Sequence, residues 1–137
     1  MSSEINRGVR VLLRLEGAAV LAASTLMYVK SGFGWGVFAL YFLAPDLSLL
    51  GYLARNRIGA IVYNAAHSYV GALVCFGAGL LLVSPELEIA GLIWCAHIGA
   101  DRALGFGLKY SSSFAHTHLG RLGRADATVR AHTELHA

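Results

Sequence analysis

Four apolar runs, each near the length that carries a helix across a bilayer, leave this chain few folds to choose from. They cover about residues 9–29, 37–54, 58–83 and 89–110, and a bilayer core takes about 20 residues of helix. In lipid every backbone N–H and C=O must be paired within the protein, so runs of this length read as helices. Hydrophobic residues make up 56% of the chain and charged residues 14%, a balance outside that of ordinary soluble domains. The expected fold is all-α: an integral membrane four-helix bundle over residues 1–120, with a short, flexible polar C-terminal tail over 121–137.

The formal net charge of +3 does not point to nucleic acid, because no basic patch interleaved with aromatics stands out. Topology explains it better. With four spans, the N-terminus, the 55–57 connection and the tail share one side, and that side holds Arg7, Arg10, Arg14, Arg55, Arg57, Arg102, Lys109, Arg121, Arg124 and Arg130; the other holds Lys30. The positive-inside rule then puts both termini in the cytoplasm. No small-x-small cleavage site follows the first run, so that run is expected to be retained as a span. Cys75 and Cys95 sit in apolar runs without C-x-x-C spacing, which suits packing better than redox or zinc-knuckle chemistry.

Each run carries ionisable or amide groups that an apolar helix does not need. The first holds Glu16; the second holds Asp46, directly after the helix-breaking Pro45; the third holds Asn64 and His67; the fourth holds His97 and Asp101. Burying such groups costs several kcal/mol, on the order of 2–7 for a neutral polar group, unless each finds a partner. At a rise of roughly 1.5 Å per residue from the basic side, Glu16, Asp46 and Asp101 lie about 12 Å deep, Asn64 about 10 Å, His67 about 15 Å and His97 about 18 Å. This common layer predicts one shared site open to the cytoplasm, against the alternative of separate hydrogen-bonded pairs that pin helices together. For Asp46 a further alternative is capping of the helix half that restarts after Pro45.

Imidazoles and carboxylates together are a ligand set for a divalent metal such as zinc, manganese or iron. His97 and Asp101, four apart on one helix face, supply the first two ligands. His67 is expected to join them, Asp46 is a further candidate, and His118 is placed to fold back from the tail. Glu16 or Asp46 is then the expected general base on a metal-bound water. Asn64, Arg102, Lys109 and His116 are the expected substrate-binding groups, with the cations suited to a phosphate or carboxylate headgroup.

The segments Leu15-Glu16-Gly17, Leu43-Ala44-Pro45-Asp46-Leu47-Ser48-Leu49-Leu50-Gly51-Tyr52, Asn64-Ala65-Ala66-His67-Ser68-Tyr69, the run from His97 to Tyr110, and Thr117-His118-Leu119-Gly120 resemble the family catalogued as domain of unknown function 4260. The resemblance covers nearly the whole chain up to about Gly120. It implies a small bacterial membrane protein of about four helices, hence a multi-pass protein of the cytoplasmic membrane. It carries no reaction with it.

On the residues alone, the favoured function is an intramembrane metal-dependent enzyme, a hydrolase of a lipid or other amphipathic substrate. A metal-dependent oxidase is its neighbour, weakened by the absence of the Glu-x-x-His spacing of di-iron bundles. Two other classes compete with it. One is a bis-histidine b-type haem carrier built on His67 and His97; the other is a non-enzymatic subunit, small carrier or proton relay whose polar layer pins the helices. The expected partners are the bilayer and an amphipathic small molecule, and a homo-oligomer is compatible with the pattern.

Overall fold

The computed structural model describes residues 2–108, 116–117 and 120–121. Helix α1 (Ser2–Lys30) is followed by α2 (Trp35–Phe42), a 3-10 helix (Ala44–Leu53), α3 (Asn56–Ala66), α4 (Tyr69–Leu82) and α5 (Pro85–Leu104). His116–Thr117 pairs antiparallel with Gly120–Arg121 as two very short strands. The described part of the chain is otherwise helical, as the apolar runs require.

Two helical stretches, Asn6–Lys30 and Trp35–Leu53, are long and apolar enough to cross a membrane, and the bent pair α3–α4 makes a third if counted as one span. Their outer faces are covered with large apolar side chains, among them Leu40, Leu53, Val70, Leu73, Val74 and Leu81, the last 85% exposed. Exposed apolar area on this scale suits a lipid solvent. Helix α5 is not among these stretches. It carries Glu86, Glu88, Asp101 and Arg102, and it buries Ile89, Leu92, Ile93, Cys95, Ala96, His97 and Ile98 against protein.

That burial follows from glycines that let neighbouring backbones close on α5. A Cβ on Gly99 would meet the Gly17 carbonyl at 2.7 Å and the Leu21 nitrogen at 2.7 Å; a Cβ on Gly91 would meet the Phe76 nitrogen at 2.5 Å. Helices α1 and α4 therefore pack on α5 from two sides, and α2 touches it from a third. Small residues at such contacts replace the hydrophobic drive that lipid removes. Gly17, Ser24 and Tyr28 form the buried stripe of α1. The Tyr28 hydroxyl donates to the Gly34 carbonyl at 2.8 Å, tying down the turn to α2.

Both polar segments in the middle of the chain lie at helix breaks. Pro45 ends the α-helical course of the second run, as a residue with no N–H and a ring that clashes one turn back must. The chain continues as a 3-10 helix of 10 residues, longer than the usual few. The third run, expected as one helix, is two. His67 closes α3 with φ −107° and ψ 16°, Ser68 caps α4 by accepting from the Val70 amide at 3.3 Å, and the axis bends by 40°. Ser68→Ala is expected to cost about 1 kcal/mol, the usual worth of an N-cap, read as a lower unfolding temperature in detergent.

Candidate metal centre

The two breaks and the middle of α5 converge. His67, on the break between α3 and α4, is 1% exposed, and His97, on α5, is 2% exposed. Their Nε2 atoms lie 3.1 Å apart. Asp46 Oδ1, from the first turn of the 3-10 helix, is 3.7 Å from His67 Nε2 and 3.5 Å from His97 Nε2. Asp101 Oδ2, one turn beyond His97, is 3.4 Å and 3.5 Å from the same two nitrogens. Asp46, His67 and His97 thus form a group within metal-binding distance, with a second carboxylate beside it.

Local structure aims these atoms. The Tyr63 carbonyl, near the end of α3, lies 3.0 Å from His67 Nδ1. A carbonyl only accepts, so Nδ1 carries the proton, and in the neutral form of the ring Nε2 is the bare nitrogen that faces the cluster. This is the orienting contact that metal-bound histidines commonly make. The Tyr63 ring stacks on the His67 ring with centroids 3.8 Å apart, and the Trp94 indole N–H donates to the Ala66 carbonyl beside the break. Arg102 Nη2 donates to the His67 carbonyl at 3.0 Å, fastening the break to the end of α5. His97 is held by an edge contact with Phe42, centroids 5.2 Å apart. Its Nδ1 is buried with no hydrogen-bond partner among the described residues.

The sequence-predicted residues divide accordingly. His67, His97, Asp101 and Asp46 come together. The Asp46 side chain is 46% exposed and reaches the imidazoles; the cap of its helix is Leu43, with no side-chain cap bond. Glu16 does not join them. Its neighbour Gly17 faces α5, so Glu16, turned by about 100° on the helix, is exposed on α1. It sits at the right level and on the wrong side. Asn64 is half-buried on α3 and outside the donor group. Arg102 serves backbone carbonyls, those of His67 and Phe106. Lys109 and His118 lie outside the described residues, and of His116 only the backbone is described.

Tyr63, Phe42 and Trp94 were not anticipated as parts of the site. Tyr63 carried a signal, since it stands one helical turn before His67.

A cavity of about 360 Å³ is lined by Tyr41, Ala44, Pro45, Ser48, Ala66, Cys75, Ala90 and Trp94. The lining is largely apolar, and the buried Ser48 hydroxyl has no partner among the described residues. Ala44 and Pro45 precede Asp46, and Ala66 precedes His67, so chain neighbours of two donors line this cavity while the four donor residues themselves do not.

No curated protein and no solved structure matches the chain. One family model does, over residues 10–122, which takes in Asp46, His67, His97 and Asp101 as well as every helix that carries them. With its four converging donors inside the matched region, the chain belongs to the family described as Domain of unknown function (DUF4260).

Proposed function

We propose that this chain is an intramembrane metal-dependent hydrolase of a lipid or other amphipathic substrate. The observation that carries the reading is the spacing of the donors. An ion with bonds of about 2.0–2.1 Å at tetrahedral angles keeps its donors about 3.3–3.4 Å apart. The three separations among His67, His97 and Asp46 fall between 3.1 and 3.7 Å. Charge balance supports it. Two carboxylates gathered on the imidazole pair make a donor set complementary to a divalent cation. The short His67–His97 separation favours a small ion over a haem iron, which holds two axial nitrogens about 4 Å apart at bonds of about 2.0 Å.

His67, His97 and Asp46 would hold the ion, with zinc, manganese or iron as candidates for this donor set. Such an ion supplies Lewis acidity toward water and toward a carbonyl or phosphoryl oxygen. Asp101 would be the proton acceptor, since it stands at the same imidazoles and is not needed to complete three ligands. The half-exposed Asp46 leaves the centre an approach, and the apolar cavity lined by chain neighbours of Asp46 and His67 suits the hydrocarbon part of a substrate. The membrane setting follows the charge pattern: four spans with both termini in the cytoplasm, α5 crossing inside a sleeve of α1 and α4, in the bacterial inner membrane. A reporter active only in the periplasm is expected to stay silent at either terminus; signal there would overturn the topology.

The reading is tested by metal content and turnover on a panel of phospholipid and acyl-ester substrates, before and after chelation. Asp101→Asn is expected to keep the metal and to lose turnover by about 10²–10⁴-fold, the range for a removed general base. Loss of metal in Asp101→Asn makes that carboxylate a fourth ligand, closes the centre and replaces the enzyme reading with a structural ion. No metal in the parent protein leaves helix pinning as the account.

A further inference from the structure

At the other face of α5 a second polar feature is independent of the metal reading. Arg7, Arg10 and Arg14 follow one another at steps of three and four, which puts them within about 60° of each other on α1. With Val11 and Gly105 they line a cavity of about 310 Å³ in which, among the described residues, no acidic side chain takes part. Like charges stacked this way on a helix repel, and among the described residues none of the three forms an ion pair with a carboxylate. Two are tethered instead. Arg10 Nε donates to the Asn6 carbonyl at 3.2 Å, and Arg14 Nε donates to the Ala103 carbonyl at 2.8 Å, joining α1 to the end of α5. Each tether uses the inner edge of its guanidinium, so the terminal nitrogens keep their donors for another acceptor. Gly105 ends α5 with φ 94° and presents no side chain to the cavity wall.

We propose that Arg7, Arg10 and Arg14 form a cradle for a phosphate anion. A guanidinium fork matches two phosphate oxygens at once, and three forks around one cavity match a group with several equivalent oxygens. The anion comes either from the headgroup of an anionic phospholipid at the basic membrane face or from free phosphate. Arg55 and Arg57 provide the comparison, because they are exposed, are predicted to lie on the same membrane side and do not line this cavity.

The test uses full-length protein in mild detergent, offered equal amounts of phosphatidylglycerol and phosphatidylcholine, with bound lipid read by native mass spectrometry. A parallel titration uses inorganic phosphate. Arg7→Gln with Arg10→Gln removes two forks, keeps the Arg14 tether and retains helix propensity; Arg55→Gln with Arg57→Gln is the control. The parent is expected to retain phosphatidylglycerol at least about tenfold over phosphatidylcholine, and the first double variant to lose that preference while the control keeps it. If inorganic phosphate binds to the parent and not to the first variant, the ligand is the free anion; if it binds to neither, the ligand is the headgroup. An unchanged preference in the first variant, or an equal loss in both, overturns the cradle and leaves general attraction by juxtamembrane charge. Unaltered metal content in the Arg7→Gln, Arg10→Gln protein shows that it is folded, and the outcome is then independent of the hydrolase reading. If the parent holds no metal, an unchanged unfolding temperature serves that purpose.

Discussion

If the proposed centre holds a divalent metal, His97→Ala is expected to lower the affinity for it by at least about 100-fold while the protein stays in the membrane. Loss of an outer-shell partner alone costs about 10–100-fold, and losing a ligand costs more. Apolar helices remain inserted without the centre. The informative comparison is with His97→Leu combined with Asp101→Leu, each variant scored for yield, monodispersity and metal. Equal yields with metal lost in both agree with a metal centre. A purely structural pair gives another pattern: removing one member strands its partner in a low-dielectric interior and destabilises the fold by about 3–5 kcal/mol, whereas replacing both restores it. A poor single variant, a healthy double variant and a metal-free parent would therefore sink the metal reading.

The second large effect is expected at Gly99. Its missing Cβ is the space in which the Gly17 carbonyl and Leu21 nitrogen of α1 sit, both at 2.7 Å from where that atom would be. These are backbone atoms, so no rotamer change makes room. Gly99→Leu is expected to push α1 off α5 and to cost about 3 kcal/mol, the upper end for overpacking a close contact. Thermal unfolding in detergent, followed by tryptophan fluorescence, measures it. Gly77→Ala is the control, because nothing lies within 4 Å of its would-be Cβ and alanine is the better helix former by about 1 kcal/mol. An unchanged midpoint for Gly99→Leu would mean that α1 does not dock there.

The centre was legible in the sequence as far as depth and helix period carry information. Depth put Asp46, His67, His97 and Asp101 in one layer, and a spacing of four put His97 and Asp101 on one face. Depth says nothing about which way a helix is turned. Glu16 shares the level of the layer and faces outward, because the small residue that lets α1 close on α5 is its neighbour, Gly17. Pro45 announced its break through chemistry that no context overrides. The break at His67 had a weaker sign, the N-cap residue Ser68 ahead of an apolar run, and hydropathy summed across it read as one helix. Likewise α5 reads as one more lipid-facing span by composition, although Gly91 and Gly99 let α1 and α4 enclose it. Which helix becomes the enclosed one depends on contacts between runs, and periodicity within a run does not report them.

The four donors are unevenly distributed along the chain, and this has a consequence for how the protein is made. Asp46 and His67 lie at two early helix breaks, whereas His97 and Asp101 sit together on α5, the last long helix described. During synthesis the first two donors reach the membrane without their partners, and no arrangement of α1 to α4 alone brings an imidazole pair together. The donor set closes only when α5 slides between α1 and α4. Arrival of α5 and completion of the donor set are then one event, so a bound ion would mark a chain in which α5 is already packed between α1 and α4.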